Sequence, residues 1–364
     1  MTAANSAICF VNTNAQWGGG EKWHLATACY FREQGVPTLM VTNSGSALFA
    51  ASSEQGFSPF TLSVGNLSLL NPFKLQKLVA FFKQNQVSTV VLNLPSDAKF
   101  AGVAAKLAGV KQIVYRRGMP KKPSSSIVNK WLFNKVLTHI VGNSEEIINK
   151  MVKGNESWFP TNKTCIIYNG VDPNLPPANQ RLFAKQGDEI IIGNVGRLVD
   201  QKGQHWLVDI CKRLKESGRQ VRFVIAGEGE KRAELEALIK DNGLANDISL
   251  LGHVSDMAGF MNSIDMLAFT SKYEGSANTL IEALYFGVPV VAFNASSNPE
   301  VVIDEQTGLL AEAFSVEQMA AQLARLIDDK ALRQRLIDGG KALVQSKFDM
   351  YQNLEKLMAI HQQR

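Results

Sequence analysis

From one end to the other the chain alternates between short apolar runs of strand type and longer amphipathic segments of helical spacing, in two blocks. In the first block "AICFVN" (Ala7–Asn12) leads through "TNAQWGGGE" into "KWHLATACYFREQG", which stops at Gly35. "PTLMVT", "STVVLNL" (Ser88–Leu94), "KQIVY" (Lys111–Tyr115) and "THIVGNS" (Thr138–Ser144) follow. A Pro- and Asn-rich break at Val171–Glu189 reads as a linker. Beyond it "IIIGNVG", "VRFVIAG", "ISLLG", "DMLAFTS" and "VPVVAF" restart the pattern. Parallel strands need crossovers of a dozen or more residues, which helices fill. The alternation therefore implies βαβ units and mostly parallel sheets covered on both faces. With 364 residues, 45% of them hydrophobic, there is material for two such cores. We expect an α/β protein of two doubly wound Rossmann-like domains, residues 1–174 and 175–347, with a helix over 348–364 returning to the first. Ligands of such sheets bind at the carboxyl ends of the strands, and the two domains would face each other across a cleft.

Composition narrows the function. The four cysteines (Cys9, Cys29, Cys165, Cys211) are scattered, which argues against a disulfide framework or a zinc site and fits a reducing compartment. The opening residues lack the pattern of a secretory signal, and no run of about 18 apolar residues exists to span a membrane. A cytoplasmic protein is the expectation. The net charge of +5 is unevenly placed: Lys99–Ser144 holds nine Lys or Arg residues and no Asp or Glu. The remainder carries 38 − 9 = 29 cations against 33 carboxylates, or −4. A basic face confined to part of the first block is either solvated or meant for an anionic partner.

Four constellations could carry chemistry. "WGGGE" (Trp17–Glu21) lies between the first strand and helix. Its glycines serve either a tight turn or the close approach of an anion to free helix amides; it matches neither the dinucleotide fingerprint nor a P-loop. "VGRLVDQKGQ" (Val195–Gln204) follows the first strand of the second block. There a guanidinium, an ammonium and a following helix N-terminus suit a diphosphate. "AGEGE" (Ala226–Glu230) combines glycines with Glu228, a candidate acceptor for a ribose or base. "YEGSANTLIE" (Tyr273–Glu282) places Glu274 in a loop at a strand's carboxyl end and Glu282 about one turn inside a helix beginning near Ala277 or Asn278. Eight residues of helix cover ~12 Å, on the order of the separation between the sugar and the ribose of a sugar nucleotide. Asn278, Thr279 and Leu280 would offer amides to the diphosphate in the uncharged interval, where a carboxylate would repel it.

Together with "TGLL" (Thr307–Leu310), "FGVPVVA" and "YNGVD" (Tyr168–Asp172), these stretches resemble the family-four retaining glycosyltransferases of the two-domain GT-B fold, the glycosyl transferases group 1. The likeness extends over nearly the whole chain and is densest from Ile166 to Leu310. It implies transfer of a sugar from a nucleotide-diphosphate donor with retained anomeric configuration. Carried over by position, Arg197 and Lys202 would neutralise the diphosphate, Glu274 would meet the sugar hydroxyls and Glu282 the ribose. Gly19 and Gly20 would cap the cleft. No D-x-D pair is present, in keeping with metal-independent donor binding, and no cofactor is implied. The sequence departs from the family at "VYRRGMP", where Arg116 and Arg117 stand in the region that many relatives fill with a histidine, and at "NASSNPE" (Asn294–Glu300), where a Gly-rich stretch is usual. His24, His139 and His205 read as structural.

On the acceptor side the candidates are Asp97, equally readable as a helix cap, and the cations Arg116, Arg117 and Lys121. "YRRGMPKKPSSSIVNKWLFNK" (Tyr115–Lys135) adds Ile127, Val128, Trp131, Leu132 and Phe133. It reads as a basic amphipathic helix that either lies on an anionic membrane surface or lines a site for a glycan or phosphorylated glycolipid acceptor, with Ile127, Trp131 and Leu132 alternatively its core face. Lipopolysaccharide-core or related synthesis at the cytoplasmic membrane face fits this placement. The aromatics near the basic run sit on a helix rather than a sheet face, which speaks against nucleic acid. A non-catalytic sugar-nucleotide binder and an epimerase or phosphorylase of the same fold are the competing readings. Donor sugar, base, acceptor, linkage and oligomeric state leave no signature in the side chains.

Overall fold

The computed structural model describes residues 6–65, 68–176, 180–185 and 187–363. It divides into two compact units, Met1–Asn169 with Gln352–Arg364, and Gly170–Tyr351.

Unit 1 runs β1 (Ala7–Asn12), α1 (Gly19–Glu33), β2 (Thr38–Thr42), α2 (Ala47–Glu54), β3 (Phe60–Thr61), α3 (Pro72–Gln84), β4 (Val87–Leu92), α4 (Pro95–Ala108), β5 (Gln112–Arg117), α5 (Ile127–Trp131), β6 (His139–Gly142), α6 (Glu145–Val152) and β7 (Thr164–Ile166). Its sheet has the order β3-β2-β1-β4-β5-β6-β7 and all its pairings are parallel. All six residues of β1 are buried, as expected of a central strand covered on both faces. Cys9, Val11, Leu92, Phe100 and Phe133 lie in its main core.

Unit 2 follows with β8 (Ile190–Val195), α7 (Trp206–Glu216), β9 (Val221–Ala226), α8 (Arg232–Asp241), β10 (Ile248–Gly252), α9 (Met257–Ser263), β11 (Met266–Phe269), α10 (Asn278–Tyr285), β12 (Val290–Phe293), α11 (Asn298–Val301), β13 (Leu309–Ala311), α12 (Val316–Asp328), α13 (Lys330–Lys347) and α14 (Met350–Gln362). The order is β10-β9-β8-β11-β12-β13, again parallel throughout. Most of α14 belongs to unit 1, where Thr89 Oγ1 lies 2.8 Å from His361 Nδ1 and the Phe31 and His361 rings meet edge to face.

Each sheet reverses its strand order once, between β1 and β4 in unit 1 and between β8 and β11 in unit 2. The loops that leave neighbouring strands there diverge to opposite faces, opening a crevice at the carboxyl ends. Three short strands, β3, β7 and β13, are absent from the sequence reading, because two or three residues carry too little apolar signal. The predicted basic helix is also shorter: α5 ends at Trp131 and a π-helical turn, Leu132–Val136, follows. Leu132 and Phe133 are core residues, whereas Ile127 is 86% and Trp131 42% exposed. The core-face reading therefore holds for Leu132 and fails for Ile127 and Trp131: Ile127 and Trp131 are one turn apart on one side, and the next residue, Leu132, is rotated about 100° away from them. Of the linker Val171–Glu189, residues 177–179 and 186 lie outside the described residues.

Candidate functional site

In unit 2 the loops leaving β8, β9 and β11 meet backbone to backbone. Gly196 N–H donates to Ala226 O and Leu198 N–H to Glu228 O. Gly227 has φ +149°, and a Cβ there would stand 1.9 Å from Gly196 O, so only glycine fits. Lys272 N–H donates to Gln201 O, Gln201 Nε2 to Tyr273 O, and Thr270 Oγ1 to Lys202 O. These bonds hold the "RLVDQK" loop against the "SKYEG" loop, and Lys202 Nζ lies 2.5 Å from Glu274 Oε1. The two side chains are 17% and 10% exposed. Arg197, in the same loop, is exposed, and its guanidinium makes no ion pair or hydrogen bond among the described residues. The result is a fixed carboxylate, a sheltered ammonium and a solvent-facing guanidinium at the switch point of the sheet. This set can take an anionic group at its cations and hydroxyls at its carboxylate.

Glu274 is also gripped through its backbone. Ser296 Oγ accepts from Glu274 N (3.2 Å) and donates to Glu274 O (3.0 Å), while Ser297 Oγ donates to the same carbonyl (3.3 Å). Both serines belong to the "NASSNPE" loop, where the sequence reading noted only a lost Gly-rich stretch. Ser296 holds φ +52°, which a glycine would adopt without strain. Helix α10 opens at Asn278 with no side-chain cap. Of its first three amides, Asn278 N–H donates to Ser276 O and Leu280 N–H to Ala277 O. Only Thr279 N–H is without an intramolecular acceptor among the described residues. The predicted trio of amide donors thus reduces to one, because the loop before α10 tightens into short-range turns that use the others. Glu282 lies half-buried on α10, one turn inside. Glu228 pairs with Arg232 Nη1 at 2.6 Å and is half-exposed.

Unit 1 gathers a different set at its own switch point. Glu21, in the first turn of α1 and 3% exposed, accepts from Asn12 Nδ2 and Asn14 Nδ2 at 3.0 Å each, and from Asn93 Nδ2 at 3.5 Å. The anion at this helix N-terminus is the chain's own. Gly19 begins the helix, and a Cβ at Gly20 would make a tight contact, 3.1 Å, with Asn93 Nδ2. His24 is fully buried beneath, its Nδ1 3.1 Å from Gly20 O; burial, reinforced by the Arg116 charge, lowers its pKa to about 3, so the ring is neutral.

Two acceptor-side candidates are corrected. Asp97 is fully buried on α4, accepting from Thr13 Oγ1 (2.6 Å), Thr13 N (3.3 Å) and Leu94 N (3.2 Å). It is a strut tying the β1 loop to the start of α4, and burial raises its pKa to about 6. Arg116 is 1% exposed: its guanidinium stacks 3.9 Å over the Trp23 ring and donates through Nη2 to Asn169 Oδ1 at 2.7 Å. Burial lowers its pKa to about 9, against the pull of the Glu21 carboxylate. Strand alternation separates Arg116 from Arg117. Arg117 turns to the other face of β5, where its Nη1 donates to Tyr115 Oη at 3.1 Å beside the exposed Lys121. The sequence treated the two arginines as a pair because it ended the strand at Tyr115, two residues early.

Residues 178–343 match the family described as "Glycosyl transferases group 1". The chain is 27% identical over 236 residues to a capsular polysaccharide biosynthesis glycosyltransferase, CapM, of Staphylococcus aureus, covering 60% of this chain and 61% of that protein. It is 26% identical over 300 residues to the UDP-Gal:alpha-D-GlcNAc-diphosphoundecaprenol alpha-1,3-galactosyltransferase of Escherichia coli, covering 75% and 77%. Among solved structures, Anabaena HepE in complex with UDP superposes with a TM-score of 0.83 at 21% identity over 97% of this chain and 98% of that one. The last likeness establishes the fold, two Rossmann-like units of the GT-B type.

Proposed function

We propose that this chain, whose residues 178–343 match the glycosyl transferases group 1 family, moves a sugar from a nucleotide-diphosphate donor to a cell-envelope glycan or glycolipid. Anomeric configuration is retained and no metal takes part. The observation that carries the reading is the set Arg197, Lys202 and Glu274 at the β8/β11 switch point, with Lys202 Nζ 2.5 Å from Glu274 Oε1. As the bond from the anomeric carbon to the diphosphate breaks, negative charge grows on the departing diphosphate. Arg197, Lys202 and the start of α10 are arranged to neutralise it, the largest electrostatic demand of the step. Glu274 engages the sugar hydroxyls, Glu282 the ribose, and Glu228 the nucleoside once it leaves Arg232.

The relatives support the direction of this reading. One is named for capsular polysaccharide synthesis and another for a diphosphoundecaprenol-linked acceptor with UDP-Gal as donor. Work at the cytoplasmic face of a membrane is part of the proposal; among the described residues no helix is long and apolar enough to cross.

Thermal unfolding with UDP, GDP, ADP and CMP in EDTA tests the proposal. A ligand of the folded state at 100 times its Kd adds about 2.7 kcal/mol, which is roughly 5–10 °C for a domain of this size. One diphosphate should stand out, and its effect should shrink in Glu282→Ala. Equal indifference to all four would sink the donor site.

A further inference from the structure

The basic run of the sequence folds around a cavity. Within unit 1 a pocket of about 330 Å³ opens against α4, the end of β5, the 118–126 loop and the π-turn after α5. Its lining includes Lys99, Arg117, Lys121 and Lys122, the apolar Leu132 and Phe133, and no carboxylate. The volume lies at the lower end for small-ligand sites. Among the described residues none of these four cations forms an ion pair. Glu156 is near enough to feel Lys122 but accepts instead from Gly154 N–H at 2.7 Å.

The loop carrying Lys121 and Lys122 has no regular structure, yet it is pinned from beneath. Asn129, 7% exposed, donates to Ser124 O and Ser124 Oγ at 2.9 Å each. Asn155, 1% exposed, donates to Pro123 O at 3.1 Å and accepts from Ser125 Oγ at 2.8 Å. Two buried amides thus fix a loop whose chief content is positive charge. Four like charges around one cavity repel one another with nothing inside to offset them. Phosphate is the group that matches both the charge and the forked Arg117 donor.

We propose that this cavity binds a phosphate or diphosphate group of the acceptor, with Leu132 and Phe133 against whatever apolar portion adjoins it. Only the word "acceptor" rests on the transferase reading. The phosphate belongs either to a lipid-borne acceptor or to a free phosphorylated sugar. Ile127, Val128, Trp131 and Met119, exposed by 86, 48, 42 and 51%, lie within two positions of lining residues in the sequence and offer a lipid surface a foothold.

The test uses the full chain carrying Arg197→Ala and Lys202→Ala, so that the donor site does not compete, and titrates inorganic pyrophosphate calorimetrically. One saturable, salt-sensitive site is expected. Adding Lys99→Gln, Lys121→Gln and Lys122→Gln, all at half or fully exposed positions, should weaken it at least tenfold with an unchanged melting temperature. Absence of binding, or binding indifferent to the three glutamines, overturns the proposal. Flotation with phosphatidylglycerol/phosphatidylcholine vesicles then separates the sources. Lysine-dependent flotation that pyrophosphate reverses indicates a lipid-borne phosphate; pyrophosphate binding without flotation indicates a soluble one. Nucleotide stabilisation of the chain with its donor site intact fails or succeeds independently, so collapse of the donor reading would leave the anion site standing.

Discussion

The contact between Lys202 and Glu274 makes a counterintuitive prediction for Glu274→Gln. The ammonium is held 2.5 Å from the carboxylate, and both side chains are well sheltered, at 17% and 10% exposure. Fully exposed pairs contribute about 0.2–1 kcal/mol, and hydrogen bonds to charged groups about 1.5–3 kcal/mol. A value near 1.5 kcal/mol suits this intermediate position. A nucleoside diphosphate that recruits Lys202 must weaken that bond first. Replacing the carboxylate by a neutral amide should therefore tighten diphosphate binding up to about tenfold, since 1.4 kcal/mol is one decade. Transfer should fall at least a hundredfold, because the amide holds the sugar hydroxyls poorly and its own NH2 competes for them. The free protein should melt about 3–6 °C lower, the equivalent of 1.5 kcal/mol in a unit of this size. Calorimetric titration of the stabilising nucleotide, with turnover measured on the same preparation, decides. If Glu274→Gln weakens diphosphate binding in parallel with Lys202→Ala, then Glu274 positions the lysine for phosphate rather than competing with it, and the reasoning is refuted.

Gly227→Ala should be among the most damaging single changes in unit 2, costing at least about 3 kcal/mol, because the new Cβ would lie 1.9 Å from Gly196 O; a urea midpoint within error of wild type would contradict it. Ser296→Gly relieves a positive φ but removes both hydrogen bonds to the Glu274 backbone, so turnover should drop roughly tenfold with little change in melting, and equal turnover would show the grip to be unimportant. Asp97 has a folded-state pKa raised to about 6, so the folded chain keeps this proton after the unfolded chain, near 4, has released it. Stability attributable to Asp97 is therefore greatest at low pH and falls as pH rises from about 4 to 6. Asp97→Asn, which can still accept from both amides and donate to Thr13 Oγ1, should gain on wild type across that interval by on the order of 2 kcal/mol. A stability difference that stays flat from pH 4 to 7 would disprove the burial argument.

The local signals read well where one residue type serves one purpose. Gly35 ends α1 with φ +77°, and α10 starts at Asn278, within the expected Ala277–Asn278. The apolar runs became the central strands because buried parallel strands are apolar on both faces. Signals failed where a residue's partner is distant in sequence. Asp97 looked like an acceptor-side carboxylate or a cap; it does cap α4 through Leu94 N–H, but its bond to Thr13, 84 positions away, makes it a buried strut rather than an acceptor-side group. Ser296 and Ser297 carried no mark of function, since their task is to hold a backbone 22 and 23 positions back.

What the amino-acid order determined by itself is the inventory: two sets of βα units, the glycine-bearing turns after β8 and β9, and a carboxylate-free basic run of 46 residues in unit 1. Periodicity and composition are local properties, and hydrophobic burial enforces them wherever the chain packs. The tertiary structure alone decided which of these pieces meet. Strand order set the switch points, and so brought Lys202 to Glu274 across 72 residues. The pleat of β5 sent Arg116 inward onto Trp23 and Arg117 outward to Tyr115. The packing of α4, the end of β5 and the π-turn at Leu132 gave the basic run a cavity rather than a single amphipathic face. Pairing order, side-chain alternation and helical phase are relations between segments, and they become physical only when the sheet is assembled.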